Sequence, residues 1–244
     1  GQKNGLTKVG CGIVGAGVAR DAALRGLRTG LVEQHDFAQG TSSRSTRLLH
    51  GGLRYLAQGH VGLVREASIE KKILHRIAPH LAQPLGFIFP AFAGNGNPLW
   101  QLRIGVKLYD LLCGGGNFEP SRGLSLAETR QLLPALRTEG LRGAVRYFDA
   151  LTNDARLVID TLRSAARAGA GVANFARLTA ATRDTDGWRA TVRDGLADQD
   201  LEVRARTIVN ATGPWSDGLA HSAVKLRLTK GIHLVVDHAR LPVP

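Results

Sequence analysis

The sequence has no methionine, two cysteines and few aromatic residues, 5% of its 244 positions. The missing methionine, with glycine at position 1, implies that the chain as written is not a complete translation product. Cys11 and Cys113, about a hundred positions apart, supply neither a disulfide framework nor a zinc ligand set, and no metal site is expected. A reducing compartment is the default for such a chain. Also absent is any run of the roughly 18 apolar residues that a membrane-spanning helix needs. No N-terminal stretch has the layout of a secretory signal. Zinc-finger spacing, an RNP-like aromatic segment and a long Lys/Arg block are missing too, which ranks nucleic acid last among partners. There is no internal repeat and no low-complexity segment.

What remains has ordinary globular composition, 43% hydrophobic and 21% charged, with length for one large domain or two small ones. Thirty glycines suit an α/β protein with tight strand–helix turns. The formal charge of +12 comes mostly from arginine. It marks either a solvated basic surface or an attraction to an anionic substrate or an anionic membrane face.

Residues 6–33 read as strand, glycine turn, helix and strand. The helix is placed at about 15–28, with Val18, Ala22 and Leu24 among small residues that allow close packing on a sheet. Residues 61–78 predict an amphipathic helix: Val64, Ala67, Ile69, Ile73, Leu74 and Ile77 recur at helical spacing, with Arg65, Glu66, Glu70 and Lys71 between them. A second helix is expected over 98–112, with Pro98 near its start. Ser125 and Glu128 fit a capping box before a short helix that stops at Pro134. Residues 142–148 read as a strand, and 154–168 as a helix facing inward through Leu157, Val158, Thr161, Leu162 and Ala165. Strands follow at 172–183 and 188–193, joined by the Asp186-Gly187 hairpin signal, and at 201–209.

The order of these elements predicts a nucleotide-binding layer interrupted by a second module, interleaved in sequence without a linker. The divisions expected are a nucleotide-binding βαβ unit with its contacting segment at 1–80, and a substrate-module insertion at 81–150. A return to the nucleotide layer with a β-meander follows at 151–220, then the start of a substrate-domain sheet at 221–244.

Gly10, Gly12 and Gly15 form G-x-G-x-x-G, and Gly17 follows. Such a turn needs glycine for its backbone angles and for close approach of a pyrophosphate, which the free N–H groups of the next helix then face. Glu33 ends the second strand, where an acid accepts from ribose hydroxyls and repels the extra phosphate of NADP. Thr7 and Lys8 in the first strand, and Thr29 and Gly30 in the second, are less apolar than a buried parallel strand prefers.

Residues 41–56, TSSRSTRLLHGGLRYL, are hydroxyl-rich, then basic, then glycine-paired. Such a stretch is a poor core element and a suitable cradle for an anionic cofactor. Thr41, Ser42 and Ser43 can donate to a diphosphate, or cap a short helix, or both.

The stretches GCGIVGAGVARDAALRGL and LVEQHDFAQGTSSRSTRLLHGGLRYL resemble the FAD-dependent glycerol-3-phosphate dehydrogenases. So do YFDALTNDARLV at 147–158, IVNATGPWSD at 208–217 and LTKGIHLVV at 228–236. The resemblance implies an α/β fold: an FAD-binding Rossmann-like layer of the glutathione-reductase/D-amino-acid-oxidase type, with an interleaved substrate module that contains antiparallel strands. It also implies that the chain is about half of a family member.

The implied activity is oxidation of sn-glycerol 3-phosphate to dihydroxyacetone phosphate by hydride transfer to FAD. Electrons then pass to a quinone, in a protein peripheral on the inner, cytoplasmic face of the bacterial membrane. Its oxidase cousins use oxygen instead, and an FAD-binding fragment without activity is the third reading. A homodimer is left open.

By the same resemblance Thr41, Ser42 and Ser43 contact FAD, Gly51 and Gly52 let backbone approach the isoalloxazine ring, and Ala211, Thr212 and Gly213 lie against its nucleotide half. Pro214 and Trp215 are expected to start the next helix. Arg54 beside the glycine pair is the substrate-phosphate candidate, since a guanidinium fork binds a phosphate dianion through two charged bonds. Tyr55 assists it or packs in the core. His50 and His233 are the candidates for the base that removes the hydroxyl proton, because imidazole titrates near neutrality. His233, on an expected strand after Lys230-Gly231, is favoured by the family's KGxH pattern. His50 also stands among the flavin-contacting residues. Asp149 and the Asp154-Ala155-Arg156 run match a family segment and are read as an Asp/Arg structural pair at a helix start. Asn153 stands where family members carry an acid.

Overall fold

The computed structural model describes residues 5–94, 96–114, 117–219, 221–229, 231–237 and 239–240, without the side chains of residues 5–8, 54 and 57. The elements run β1 (Gly5–Val9), α1 (Ile13–Leu24), β2 (Arg28–Val32), β3 (Leu48–Leu49), α2 (Leu53–Ala57), α3 (Val61–Ile77) and β4 (Gln83–Phe92). They continue with α4 (Leu99–Leu112), β5 (Arg122–Leu124), α5 (Leu126–Leu132), β6 (Leu141–Leu151) and α6 (Asp154–Arg167). Last come β7 (Gly171–Ala173), β8 (Ala176–Asp184), β9 (Gly187–Asp194), β10 (Gln199–Ala205) and β11 (Thr207–Asn210).

The chain divides into two compact units, one of Gly1–Thr46 with Asn153–Gly231 and one of Arg47–Thr152 with Ile232–Pro244. The divisions expected from sequence stand at residues 80, 150 and 220.

The first unit holds a parallel sheet in the order β11-β1-β2-β7 and an antiparallel sheet in the order β10-β9-β8. Val9 pairs with Val32 on one side and with Asn210 on the other, so the C-terminal ends of β1, β2 and β11 lie level. Under the sheet, α1 and α6 pack through Ala16, Ala19 and Ala23 against Val158, Leu162 and Ala165. Small side chains on α1 allow this approach. Leu24, expected on that face, is exposed.

Both helices stop at a glycine in the left-handed region, Gly26 and Gly169. In each, two backbone bonds fold the chain back onto the last turn: Leu27 to Ala22 and Gly26 to Ala23, then Ala170 to Ala165 and Gly169 to Ala166. That closure ends α1 earlier than the sequence pattern suggests. The side chains of Thr7 and Lys8 lie outside the described residues. Thr29 is buried and satisfied by donating to the Leu27 carbonyl at 3.0 Å.

Two expected strands each prove to be two. Residues 172–183 break at Asn174 and Phe175, where Phe175 has φ +52°. β7 stays in the parallel sheet, while β8 joins the antiparallel one. Likewise 201–209 breaks at Arg206, leaving β10 paired with β9 and β11 paired with β1. One strand cannot serve both a meander and a parallel layer, so a short break redirects the chain between them.

The second unit is an antiparallel sheet, β3-β6-β4 with β5 also on β6, carrying α2, α3 and α4. Ser125 caps α5 as a complete box: its Oγ accepts from Glu128 N at 3.2 Å while Glu128 Oε2 accepts from Ser125 N at 2.7 Å. The inward stripe of α3 is not the expected one. Val64, Ser68 and Lys71 are buried, whereas Ile69 and Ile77 are exposed. A partner for the Lys71 charge, described below, outweighs the apolar periodicity.

Residues 231–237 form no strand among the described residues, contrary to the expected sheet start, and Leu234 and Val235 are almost fully exposed. No described segment pairs with them. No helix among the described residues is long and apolar enough to cross a membrane.

Candidate functional site

In the first unit three segments meet where β1, β2 and β11 end. Gly10 has φ +100°, and a Cβ there would lie 2.5 Å from the Ala211 carbonyl oxygen. A Cβ on Gly15 would lie 1.8 Å from the Gly10 carbonyl oxygen, so the bend between β1 and α1 closes only without a side chain. The result is bare backbone at the N-terminus of α1, where helix amides and dipole favour an anion.

Ser42, in the helical turn Thr41–Ser43, reaches this bend: its Oγ accepts from Ile13 N at 3.1 Å. A Cβ on Gly12 would come within 3.3 Å of the same oxygen. Thr41 and Ser43 are exposed beside it. On the third side Ala211 N donates to Val9 O at 2.9 Å, and Thr212 Oγ1 donates to Asn210 Oδ1 at 2.7 Å. Gly213 opens a short helical turn, Gly213–Trp215, in place of the expected helix. The Trp215 ring lies so close to Gly40 that a Cβ there would be 3.1 Å from it.

Glu33 also turns back to the bend. Its carboxylate accepts from Cys11 N at 2.8 Å and from His35 N at 3.2 Å. Each oxygen keeps a further lone pair for a hydroxyl donor. Burial, then the Glu33 charge, push the Cys11 thiol well above its ordinary range. That cysteine is a small hydrophobe here and not a nucleophile.

This arrangement fits a dinucleotide: an acid at one strand end, hydroxyls at another segment, and a glycine bend that any Cβ would fill.

The second unit holds His50, Gly51, Gly52, Tyr55 and His233. His50 is exposed while both glycines are buried. What demands glycine here is the chain itself. A Cβ on Gly51 would fall 2.3 Å from both the Tyr109 hydroxyl and Ser68 Oγ, and Gly52 has φ +74° with the Tyr55 ring 2.5 Å from its Cβ position. Approach of a flavin ring was the reason expected from sequence; internal packing supplies a sufficient one.

Tyr55 is half-buried and packs against the Val64, Tyr109 and Cys113 cluster. The Arg54 side chain and Lys230 lie outside the described residues. His233 is exposed within 231–237.

Below Gly51, Asp149 sits with Lys71 and Tyr109, neither of which the sequence marked as its partner. Lys71 Nζ is 2.7 Å from Asp149 Oδ1, with both side chains buried. Asp149 Oδ1 also accepts from Tyr109 OH at 2.6 Å and from Gly51 N at 3.3 Å, and Tyr109 OH accepts from Gly51 N at 2.9 Å. Burial, then the Asp149 charge, push the Tyr109 phenol well above its usual range.

Asp149 therefore pairs with a lysine, and Arg156 pairs with Asp160 at 3.0 Å, so the expected Asp/Arg pair is absent among the described residues. Asp154 bonds Ser45, and Asn153 caps α6 by accepting from Arg156 N at 3.1 Å. The one sequence signal for Lys71 would have been its place between apolar positions of α3, which reads equally well as a solvated face.

A family profile described as FAD dependent oxidoreductase matches residues 9–244. The chain is 43% identical over 249 aligned positions to the alpha-glycerophosphate oxidase of Streptococcus pyogenes serotype M3, covering 98% of this chain and 41% of that protein. It is 40% identical over 245 positions to the aerobic glycerol-3-phosphate dehydrogenase of Staphylococcus aureus, covering 98% of this chain and 44% of that protein. The chain thus spans about two fifths of the length of these curated relatives. Among solved structures, the glycerol-3-phosphate dehydrogenase of Bacillus halodurans complexed with FAD superposes with a TM-score of 0.67 at 31% identity, over 89% of this chain and 36% of that one.

Proposed function

The chain belongs to the FAD dependent oxidoreductase family, and on that premise we propose that it serves the oxidation of sn-glycerol 3-phosphate to dihydroxyacetone phosphate with FAD as cofactor. One observation carries the cofactor assignment: the glycine bend, Ser42 and Ala211 converge on the N-terminus of α1. The substrate assignment rests on two relatives, at 43% and 40% identity, whose names contain glycerophosphate or glycerol 3-phosphate.

In this reading the backbone of residues 10–15 and the hydroxyls of Thr41, Ser42 and Ser43 hold the FAD diphosphate. Glu33 accepts from the ribose. Ala211, Thr212 and Gly213 border the nucleotide half of FAD. FAD supplies the two-electron acceptor when bound. Arg54 grips the substrate phosphate as a fork, assisted by Tyr55, and orients the C2 hydroxyl. His50 or His233 takes the hydroxyl proton as general base.

The final electron acceptor proposed is a quinone. Oxygen is the second reading, favoured by the oxidase name of the 43% identical relative. The +12 charge supports peripheral attachment to an anionic membrane surface, where each basic residue near the lipid contributes about 1 kcal/mol. Sedimentation with anionic vesicles at low salt, and release at high salt, tests that attachment.

The direct test of function is optical. FAD-reconstituted protein should be yellow and should bleach anaerobically on addition of glycerol 3-phosphate. Yellow protein that does not bleach would reduce the assignment to FAD binding alone, and colourless protein would end the cofactor assignment. Recovery rates with oxygen and with a soluble quinone then separate the two acceptors.

A further inference from the structure

We propose that the free edge of β4 is a self-complementary docking strand, on which a second copy of this chain pairs antiparallel about a two-fold axis at Phe87.

β4 closes one end of the sheet order β3-β6-β4 and pairs with β6 along its length. Among the described residues no strand pairs with its other edge. In an antiparallel ladder alternate residues aim both backbone groups at the partner strand, and those between aim both away. Phe148, opposite Gly86, shows the phase here. Its carbonyl accepts from Asn117 Nδ2 at 2.9 Å and from Lys71 Nζ at 3.4 Å, so it faces away from β4. Gly86 and Ile88 therefore present both N–H and C=O to the free edge. Pro84 and Pro90, in the same phase, present carbonyls alone, and the β6 ladder loses no donor to either ring.

Proline commonly blunts an edge strand. Here the two prolines stand three positions either side of Phe87, and that symmetry leaves one register open. With Phe87 opposite Phe87 of the second copy, Gly86 faces Ile88 on both sides of the axis, and each pair exchanges both of its bonds. Proline then faces proline at the ends of the paired stretch, where the strands can part. A shift of two residues either way pushes a proline ring against Gly86 or Ile88.

The side chains follow the same symmetry. Leu85, Phe87 and Phe89 share one face of β4, where Phe87 stacks on Tyr147 of β6 with ring centres 5.2 Å apart. Phe89 is 51% exposed. In the two-fold pairing Phe89 lies against Leu85 of the second copy, and the two Phe87 rings extend the stack across the axis. A second copy thus covers the exposed phenylalanine and satisfies the open amides together. Each copy uses its one free β4 edge, so the pairing closes at two. A single strand of contact is smaller than a standard interface, which makes the dimer weak and concentration-dependent.

Sedimentation velocity over a concentration series reaching about 0.5 mM, a range suited to a small interface, should show monomer passing to dimer. Phe89→Lys, at an exposed position, should weaken association about ten-fold, because two symmetric apolar pairs are lost and each copy gains an edge charge. Disulfide trapping then reads the register, since Cys11 and Cys113 are buried. Phe87→Cys should cross-link to itself under mild oxidant, as facing Cα atoms at a non-hydrogen-bonded site lie about 4.5 Å apart. Phe89→Cys alone should not, being about 13 Å from its counterpart along the strand. Phe89→Cys mixed with Leu85→Cys should cross-link, and this pair keeps the test open if loss of the Phe87 ring unfolds the sheet.

A chain that stays monomeric throughout the series would overturn the proposal. So would a dimer that Phe89→Lys leaves intact, which would place the contact elsewhere. Equal trapping of Phe89→Cys and Phe87→Cys would overturn the two-fold register, and growth beyond dimers would overturn its closure.

Discussion

Ser42 Oγ accepts the Ile13 amide proton at 3.1 Å, so a hydroxyl from one loop tops the helix that follows the glycine bend. Ser42 lies in the turn Thr41–Ser43 and Ile13 opens α1, so their meeting brings two sequence motifs together at one surface. Ser42→Ala removes an oxygen from that surface without disturbing the core. FAD affinity should fall about five- to ten-fold, the worth of one net hydrogen bond. Fluorescence titration with FAD measures this, and thermal melting of the apoprotein should stay within a degree or two of the parent, as for a surface change.

Gly15 and Gly17 both lie in α1 and give opposite expectations. A methyl on Gly15 collides with the Gly10 carbonyl, whereas one on Gly17 meets nothing within 4 Å. Gly15→Ala should cost about 1–3 kcal/mol or more and abolish FAD uptake, as overpacking against backbone does. Gly17→Ala should be neutral or stabilising by about 0.5–1 kcal/mol through helix propensity. Denaturant melts of the two variants side by side decide it. Equal behaviour of the pair would contradict so close an approach of α1 to the Gly10 backbone.

The Lys71–Asp149 pair has an energetic signature. Lys71→Met leaves a carboxylate buried without its counter-charge and should cost about 3–5 kcal/mol. Replacing both, as Lys71→Met with Asp149→Leu, should recover much of that loss, because no charge is then stranded. Urea denaturation of the single and double variants measures the difference.

Glu128 offers a pH test. Hydrogen bonds from the Ser125 backbone, then the Arg122 side chain, lower its pKa from 4.5 to about 2. A carboxylate whose folded pKa is depressed stabilises the fold above its unfolded value, and that contribution disappears as pH falls through the folded one. The capping box of α5 should therefore weaken between about pH 4.5 and 2. NMR titration of the Glu128 carboxyl should place its midpoint near 2, and Ser125→Ala should move it upward.

Burial raises the pKa of both thiols, Cys11 and Cys113. Neither should react with iodoacetamide at pH 8 in the folded protein, since the thiolate is the reactive form. Both should react fully in guanidinium chloride. Mass spectrometry of the alkylated protein counts them, and fast native labelling of Cys11 would mean the glycine bend opens readily.

Local chemistry along the chain was enough to mark the glycine bend, the acid at Glu33, the hydroxyls at 41–43, the capping box at Ser125 and the start of each long helix. Each of these signals is complete within a few residues, because turn geometry and capping act over that range. The sequence pattern failed where two distant segments compete for one element. Whether residues 172–183 and 201–209 stay single strands depends on which sheet claims each half, and that is decided by partners far along the chain.

The same holds for Lys71. Periodicity puts it on a wet face, and only the arrival of Asp149 from β6, Tyr109 from α4 and Asn117 from the loop between α4 and β5 makes burial of its charge tolerable. The residues proposed to bind an anion could thus be read one motif at a time. The residues that hold the Gly51 turn in place could not, because a buried charge is stable only with its partners around it, and those partners come together only when the chain has folded.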